Sequence, residues 1–113
     1  MEPLILITTT SDERDNLEEI AAKLVELRLA ACCQLSGPIT SVYRWQGQIE
    51  SANEWVCTIK TTTRRFAEVR DTILKLHHYD EPQIVAIDIT DASTGYHQWV
   101  LESVTPEKGS TAQ

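Results

Sequence analysis

The sequence predicts an α+β domain of the ferredoxin-like type. It would be a βαββαβ sandwich with a long hairpin between its second and third strands and a closing C-terminal helix. Three observations lead there. The hydrophobic period switches along the chain in the order strand, helix, strand, strand, helix, strand, which is the split βαβ pattern. At 113 residues the chain is long enough for one core and too short for two. Its make-up, 42% apolar and 24% charged, is that of an ordinary globular domain. Two βαβ halves with right-handed crossovers put the first and third strands in the middle of an antiparallel sheet, with the helices on one face.

The first strand is Leu4-Ile5-Leu6-Ile7, an apolar run without alternation, as a central strand requires. Thr10 and Glu13 have capping-box spacing, and Ser11 or Asp12 offers a further cap. Leu17, Ile20, Ala21 and Leu24 then recur at helical spacing, predicting a helix from about 12 to 30. Cys32 to Trp45 reads as extended, with a bulge where Gly37-Pro38 interrupts it. Ile49 to Lys60 is its hairpin partner. Two registers are open. A two-residue turn at Gln46-Gly47 sets Tyr43 opposite Glu50, whereas a three-residue loop, Trp45-Gln46-Gly47, sets Tyr43 opposite Ile49. The second is preferred, because it gathers Ile39 and Tyr43 onto the face of Trp55, Cys57 and Ile59. Thr61-Thr62-Thr63 offers caps for a helix carrying Phe66, Val69, Ile73 and Leu76 on one stripe and ending near His77. Ile84 to Thr90 alternates as a strand, and Tyr96, Trp99 and Val100 suggest the closing helix. The domain is expected to span 1–104, and 105–113 has the composition of a flexible tail.

Composition narrows the partners. Acidic residues outnumber basic ones 17 to 10, a net charge of −7. That sign disfavours nucleic acid and anionic membrane surfaces. Four glycines leave little for a glycine-rich phosphate cradle. No stretch approaches the roughly 20 apolar residues of a membrane span, and the N-terminus does not read as a signal peptide. Cys32, Cys33 and Cys57 form neither a disulfide framework nor a Cys-x-x-Cys pair. Free thiols in a reducing cytoplasm are the expectation.

The hairpin itself bears on function. Fourteen extended residues would span about 45 Å at roughly 3.3 Å each, against a radius of gyration of about 13 Å for a domain this size. Its far part carries Ile39, Val42, Tyr43, Trp45 and Ile49. An arm with that apolar load either packs on a second copy of the chain or curls back over its own sheet. The first is preferred, and these five residues are the expected oligomer interface.

His77-His78-Tyr79-Asp80-Glu81 is the densest polar cluster. Imidazoles suit transition metals, and a carboxylate from Asp80 or Glu81 could complete a shell. The plainer reading is a helix end where histidine complements the dipole. Lys60, at a strand end before a helix, either serves solubility or binds an anion in a cleft. Trp45, Trp55 and Trp99 read as packing anchors. There is no nucleophile elbow, Ser-His-Asp set, Walker motif or paired-carboxylate signature, so no catalytic residue and no enzyme are expected.

Several segments together resemble one family. Leu29-Ala30-Ala31-Cys32 resembles its LAAC segment, and Ser41 to Glu50 its S-x-Y-x-W-x-G-x-I-E hairpin. Ile59-Lys60-Thr61 is similar to its IKT strand end, His77 to Pro82 to its H-P-Y-x-x-P loop, and Tyr96-x-x-Trp99 to its closing Y-x-x-W. This is the CutA family of divalent-cation tolerance proteins, and the likeness runs from about Leu4 to Leu101. It implies a cytoplasmic homotrimer whose hairpins extend the sheets between neighbours. It further implies a role in tolerance to copper and other divalent cations, with Cu²⁺ or Zn²⁺ as a non-obligatory ligand. Architectural similarity to the PII signal proteins implies, as the alternative, a small anionic effector between subunits, with Lys60, Tyr43, Tyr79 and Trp99 as the cleft residues. His77 matches the family histidine, while His78 stands where the family has proline. Positions of two copper ligands proposed in bacterial members are Thr8 and Leu76 in this chain.

Overall fold

The structure, a computed structural model, describes residues 1–106. The greater part of the expected tail therefore lies outside the described residues. The elements run β1 (Leu4–Ser11), α1 (Arg14–Glu26), β2 (Cys32–Trp45), β3 (Gln48–Thr62), a 3-10 turn (Thr63–Arg65), α2 (Phe66–Leu76), β4 (Val85–Ile89) and α3 (Thr94–Ser103). The sheet order is β2-β3-β1-β4, all antiparallel, with β1 and β3 in the middle. This is the expected α+β architecture.

Alternation of side chains across the sheet separates two environments. On one face, Ile5, Ile7, Cys57 and Ile59 pack beneath Leu17, Ile20 and Leu24 of α1 and Val69 and Ile73 of α2. On the other, α3 covers only one end, where Val100 and Val104 meet Leu4 and Ala31. Among the described residues, no helix lies over the rest of that face. Its β4 residues Val85 and Ile87 are 46% and 59% exposed.

Three local expectations need correction. Helix α1 stops at Glu26 rather than near 30, because Arg28 takes a left-handed backbone (φ 58°) that no helix continues through. The proposed Thr10–Glu13 capping box does not form, since β1 runs on through Ser11. The Glu13 N–H instead donates to Ser11 Oγ at 3.1 Å. The hairpin takes the two-residue turn. Trp45 pairs with Gln48 and Tyr43 with Glu50, and Gln46 and Gly47 both have positive φ (49° and 79°). That backbone follows the right-handed twist of the strands, which the three-residue loop would not need to do.

The bulge explains why apolar matching misled. Between Ser36 and Ile39 the register slips at Gly37-Pro38, whose peptide bond is cis. One extra residue in β2 reverses which side chains face which way beyond it. Below the bulge, Cys33 and Leu35 share the helix-side face with Cys57 and Ile59. Above it, Val42 and Ile49 occupy that face, while Ile39, Tyr43 and Trp45 lie on the other. The arm is thus apolar on both sides, and all five residues are exposed, from 39% at Ile39 to 72% at Ile49. It does not curl back over its own sheet.

Candidate functional site

Two clusters hold the chemistry. The first lies where α2 ends beside the ends of β1 and α1. His77 is 7% exposed. Its Nε2–H donates to the Thr10 carbonyl at 2.8 Å, and its Nδ1 accepts the Tyr79 N–H at 3.0 Å. Burial holds this imidazole below the usual histidine range, against the opposing pull of the Thr10 carbonyl. Both ring nitrogens are occupied, so His77 ties α2 to β1, and a metal would have to displace one of those bonds.

His78 differs. It is exposed, and its Nε2 lies 2.8 Å from Asp12 Oδ1, 3.2 Å from Ser11 Oγ and 3.9 Å from Glu13 Oε1. Asn16 of α1 steadies the turn, donating from Nδ2 to the Leu76 carbonyl (3.1 Å) while Oδ1 accepts the His78 N–H (3.3 Å). Tyr79 donates its hydroxyl proton to Glu54 Oε2 at 2.8 Å and accepts the Asp12 N–H at 3.0 Å. Burial and the neighbouring Glu54 carboxylate push this phenol well up. Glu54 is itself 7% exposed, so Tyr79 is what lets a carboxylate sit at the base of the arm. Asp80 and Glu81 are exposed and take no part in these bonds. Among the described residues no group of three or more His, Cys, Asp or Glu side chains converges to hold a metal ion.

The second cluster lies on the bare sheet face. Lys60 Nζ donates to Gln34 Oε1 at 2.9 Å and stands 5.8 Å from the Tyr96 ring centroid. Tyr96 rests against Trp99, centroids 5.5 Å apart, and its hydroxyl is 3.5 Å from Cys32 Sγ. Burial and Cys32 push the Tyr96 phenol up to about 12. Of the four expected cleft residues, one chain therefore brings together only Lys60 and Trp99, through Tyr96. Tyr43 stands out on the arm, and Tyr79 belongs to the first cluster. The sequence offers Asp12 only as a helix cap, and it singles out neither Glu54 nor Gln34. No sequence spacing marks them, since their partners lie 67, 25 and 26 residues away. The register of β2 on β3, which sets Cys32 opposite Lys60, is what would have pointed to Gln34.

A four-stranded antiparallel sheet with helices on one face, an exposed two-sided arm and a largely uncovered second face defines a ferredoxin-like domain with a hairpin extension. The sequence model of one family, described as CutA1 divalent ion tolerance protein, matches residues 5–103. The chain belongs to that family. The divalent-cation tolerance protein CutA of Thermus thermophilus is 40% identical over 103 residues, 91% of this chain and 98% of the relative. Among solved structures, the divalent ion tolerance protein CutA1 of Ehrlichia chaffeensis superposes with a TM-score of 0.88 at 32% identity, covering 94% of this chain and 99% of that one. The CutA of Archaeoglobus fulgidus, described as a periplasmic divalent cation tolerance protein, gives 0.87 at 37%, covering 90% and 99%. No helix among the described residues is long and apolar enough to cross a membrane.

Proposed function

We propose that this chain serves tolerance to divalent cations as a homotrimer, with copies of itself covering the arm and the bare sheet face. The names of its relatives support the role. The observation that carries the assembly is the two-sided apolar arm continuous with a sheet face that exposes Val85 and Ile87. Three free cysteines support a reducing compartment such as the cytoplasm. A net charge of −7 per chain becomes about −21 in a trimer, which concentrates cations over the whole surface before any ligand is engaged.

On that surface His78 with Asp12 is the best point of contact for Cu²⁺ or Zn²⁺. An exposed imidazole and a carboxylate already sit at bonding distance, while His77 is committed to Thr10 and Tyr79. Two ligands make a weak site. Titration calorimetry with Cu²⁺ and Zn²⁺ tests it: His78→Ala loses the binding and His77→Ala retains it in whatever fraction stays folded. Equal binding by wild type and His78→Ala rejects this site. No binding by wild type rejects direct metal handling.

A second reading is favoured by the Lys60 cluster, where an ammonium, an amide and two aromatic rings meet on an open face. It would take a small anionic effector, as a signalling or scaffold trimer would. A thermal-shift screen of nucleotides and organic acids, repeated on Lys60→Ala, separates the two readings.

A further inference from the structure

Of the three thiols, only Cys32 faces the open side of the sheet. Alternation along β2 sends its neighbour Cys33 to the helix side, where Cys33 packs against the core and Cys57 is fully buried in it. Burial and the adjacent Cys57 push the Cys33 thiol well up, which leaves it inert. Cys32 is half-buried at the start of β2, an edge strand, with Lys60 directly across from it. Opposed residues of an antiparallel pair have Cβ atoms about 4.5–5.5 Å apart, so a nucleophile and a cation share one patch. Both also meet Tyr96, whose hydroxyl is 3.5 Å from Cys32 Sγ and whose ring centroid is 5.8 Å from Lys60 Nζ. An ammonium has three N–H donors, and Gln34 takes one of those of Lys60.

The patch adjoins a cavity. A groove of about 300 Å³ is lined by Val25, Ala31, Trp99 and Ser103, with Arg28 and Glu102 adding opposite charges. Ala31 is the residue before Cys32, and the Trp99 ring rests against Tyr96. Clefts that hold small molecules begin at about this volume. Three features thus meet at one end of β2: a thiol that can bond to sulfur, an ammonium that selects a carboxylate, and a groove of mixed charge and apolar surface. The groove suits a peptide-like body that carries both charges itself.

We propose that Cys32 is a thiol-exchange site for a small peptide-like disulfide bearing carboxylates, with Lys60 holding one carboxylate and the groove beside Trp99 taking the body. The Cys32 sulfur attacks one sulfur of R–S–S–R. The old S–S bond breaks, a Cys32–S–S–R bond forms, and the other half leaves as R–SH with the proton that Cys32 gives up. Cys32 is oxidised and the leaving half is reduced, so the small disulfide is the oxidant. The adduct fills the space beside Lys60 and closes it to other anions. That closure rests on the effector reading above, whereas the exchange does not, and a failed effector screen and a failed exchange are separate results.

The test incubates the reduced full chain with oxidised glutathione, which carries carboxylates, or with cystamine, which carries ammonium groups in their place. Intact mass and peptide mapping follow the adducts, and each rate is divided by that of the same chain in urea. One glutathione per chain is expected, on Cys32, and none on Cys32→Ser. The net charge of −7 repels an anionic disulfide, so a preference for glutathione over cystamine in the folded chain reports the local ammonium. Lys60→Met should lower that preference about threefold, and Lys60→Arg should keep it. Salt at about 1 M, with a screening length of about 3 Å, should remove it from wild type, a readout that needs no variant to fold. No adduct on Cys32 overturns the proposal, as does modification of Cys33 or Cys57 ahead of it. So does a preference for glutathione that survives both Lys60→Met and salt.

Discussion

His77 shows how one side chain couples the site to stability. Its imidazole is neutral in the fold because burial disfavours the cation. The unfolded chain, with an ordinary histidine pKa of about 6.5, takes up the proton first on acidification. The sign follows: the stability linked to this group is fully present above that pH. It is lost as pH falls from about 6.5 through the lower folded-state value. Urea midpoints between pH 8 and pH 5 should therefore decline more steeply for wild type than for His77→Asn. Parallel profiles would mean that His77 is not the sensor. Gly37 is constrained differently. Its φ is +136°, and an added Cβ would lie 2.9 Å from Trp55 Cδ1 and 3.1 Å from both the Glu54 carbonyl oxygen and Trp55 Cα. Gly37→Ala should cost about 1–3 kcal/mol in chemical denaturation, since neither the backbone nor the half-buried indole can move freely. That glycine was legible as a bulge from its place beside Pro38. The pairing of His77 with Thr10 was not, because a helix-end histidine and a strand carbonyl 67 residues apart share no pattern.

At the scale of elements, periodicity served well where one face is buried and poorly where none is. α1 and α2 bury Leu17, Ile20, Leu24, Val69 and Ile73, the very residues that recur at helical spacing. The arm has no buried face within one chain, so matching apolar side chains had no physical force there, and turn chemistry decided the register. Gln46 stands at a left-handed position that asparagine or glycine fills with less strain. Gln46→Asn should stabilise the protein by up to about 1 kcal/mol, read as a higher melting temperature. A lower one would mean that the Gln46 side chain has work in the assembly. α3 carries no basic residue in its last turn. Arginines from elsewhere compensate: Arg28 donates to the Glu102 and Thr105 carbonyls, and Arg65 donates twice to the Val104 carbonyl. These cations at the negative end of the helix hold it over Leu4 and Ala31.

For the whole molecule, the inward and outward faces of the sheet tell different stories. One is closed by two helices, and the other meets α3 at one end and then lies open. The Lys60 cluster sits on that open side, so whatever covers the sheet also shapes the space beside Lys60. A mass near three times the 12.8 kDa of the chain is expected from light scattering. Val85→Asp with Ile87→Asp, which places two carboxylates on the open face, should return the mass to that of one chain with the helical circular dichroism kept. An unchanged mass would show that β4 is not part of the interface. The class of fold was legible because order and period are written locally. The expectation of three copies comes only from family likeness, since an exposed apolar arm points to a covering partner and not to a number of copies.

Multiplicity would magnify every contact that the arm makes in the proposed assembly. In a closed threefold ring every residue of the arm appears three times, each copy in an equivalent contact. A substitution worth about 0.5 kcal/mol in one contact then changes the ring by about 1.5 kcal/mol, roughly tenfold in its assembly constant. Val42 or Ile49, indifferent to the fold of a single chain, would be among the least forgiving positions in the protein.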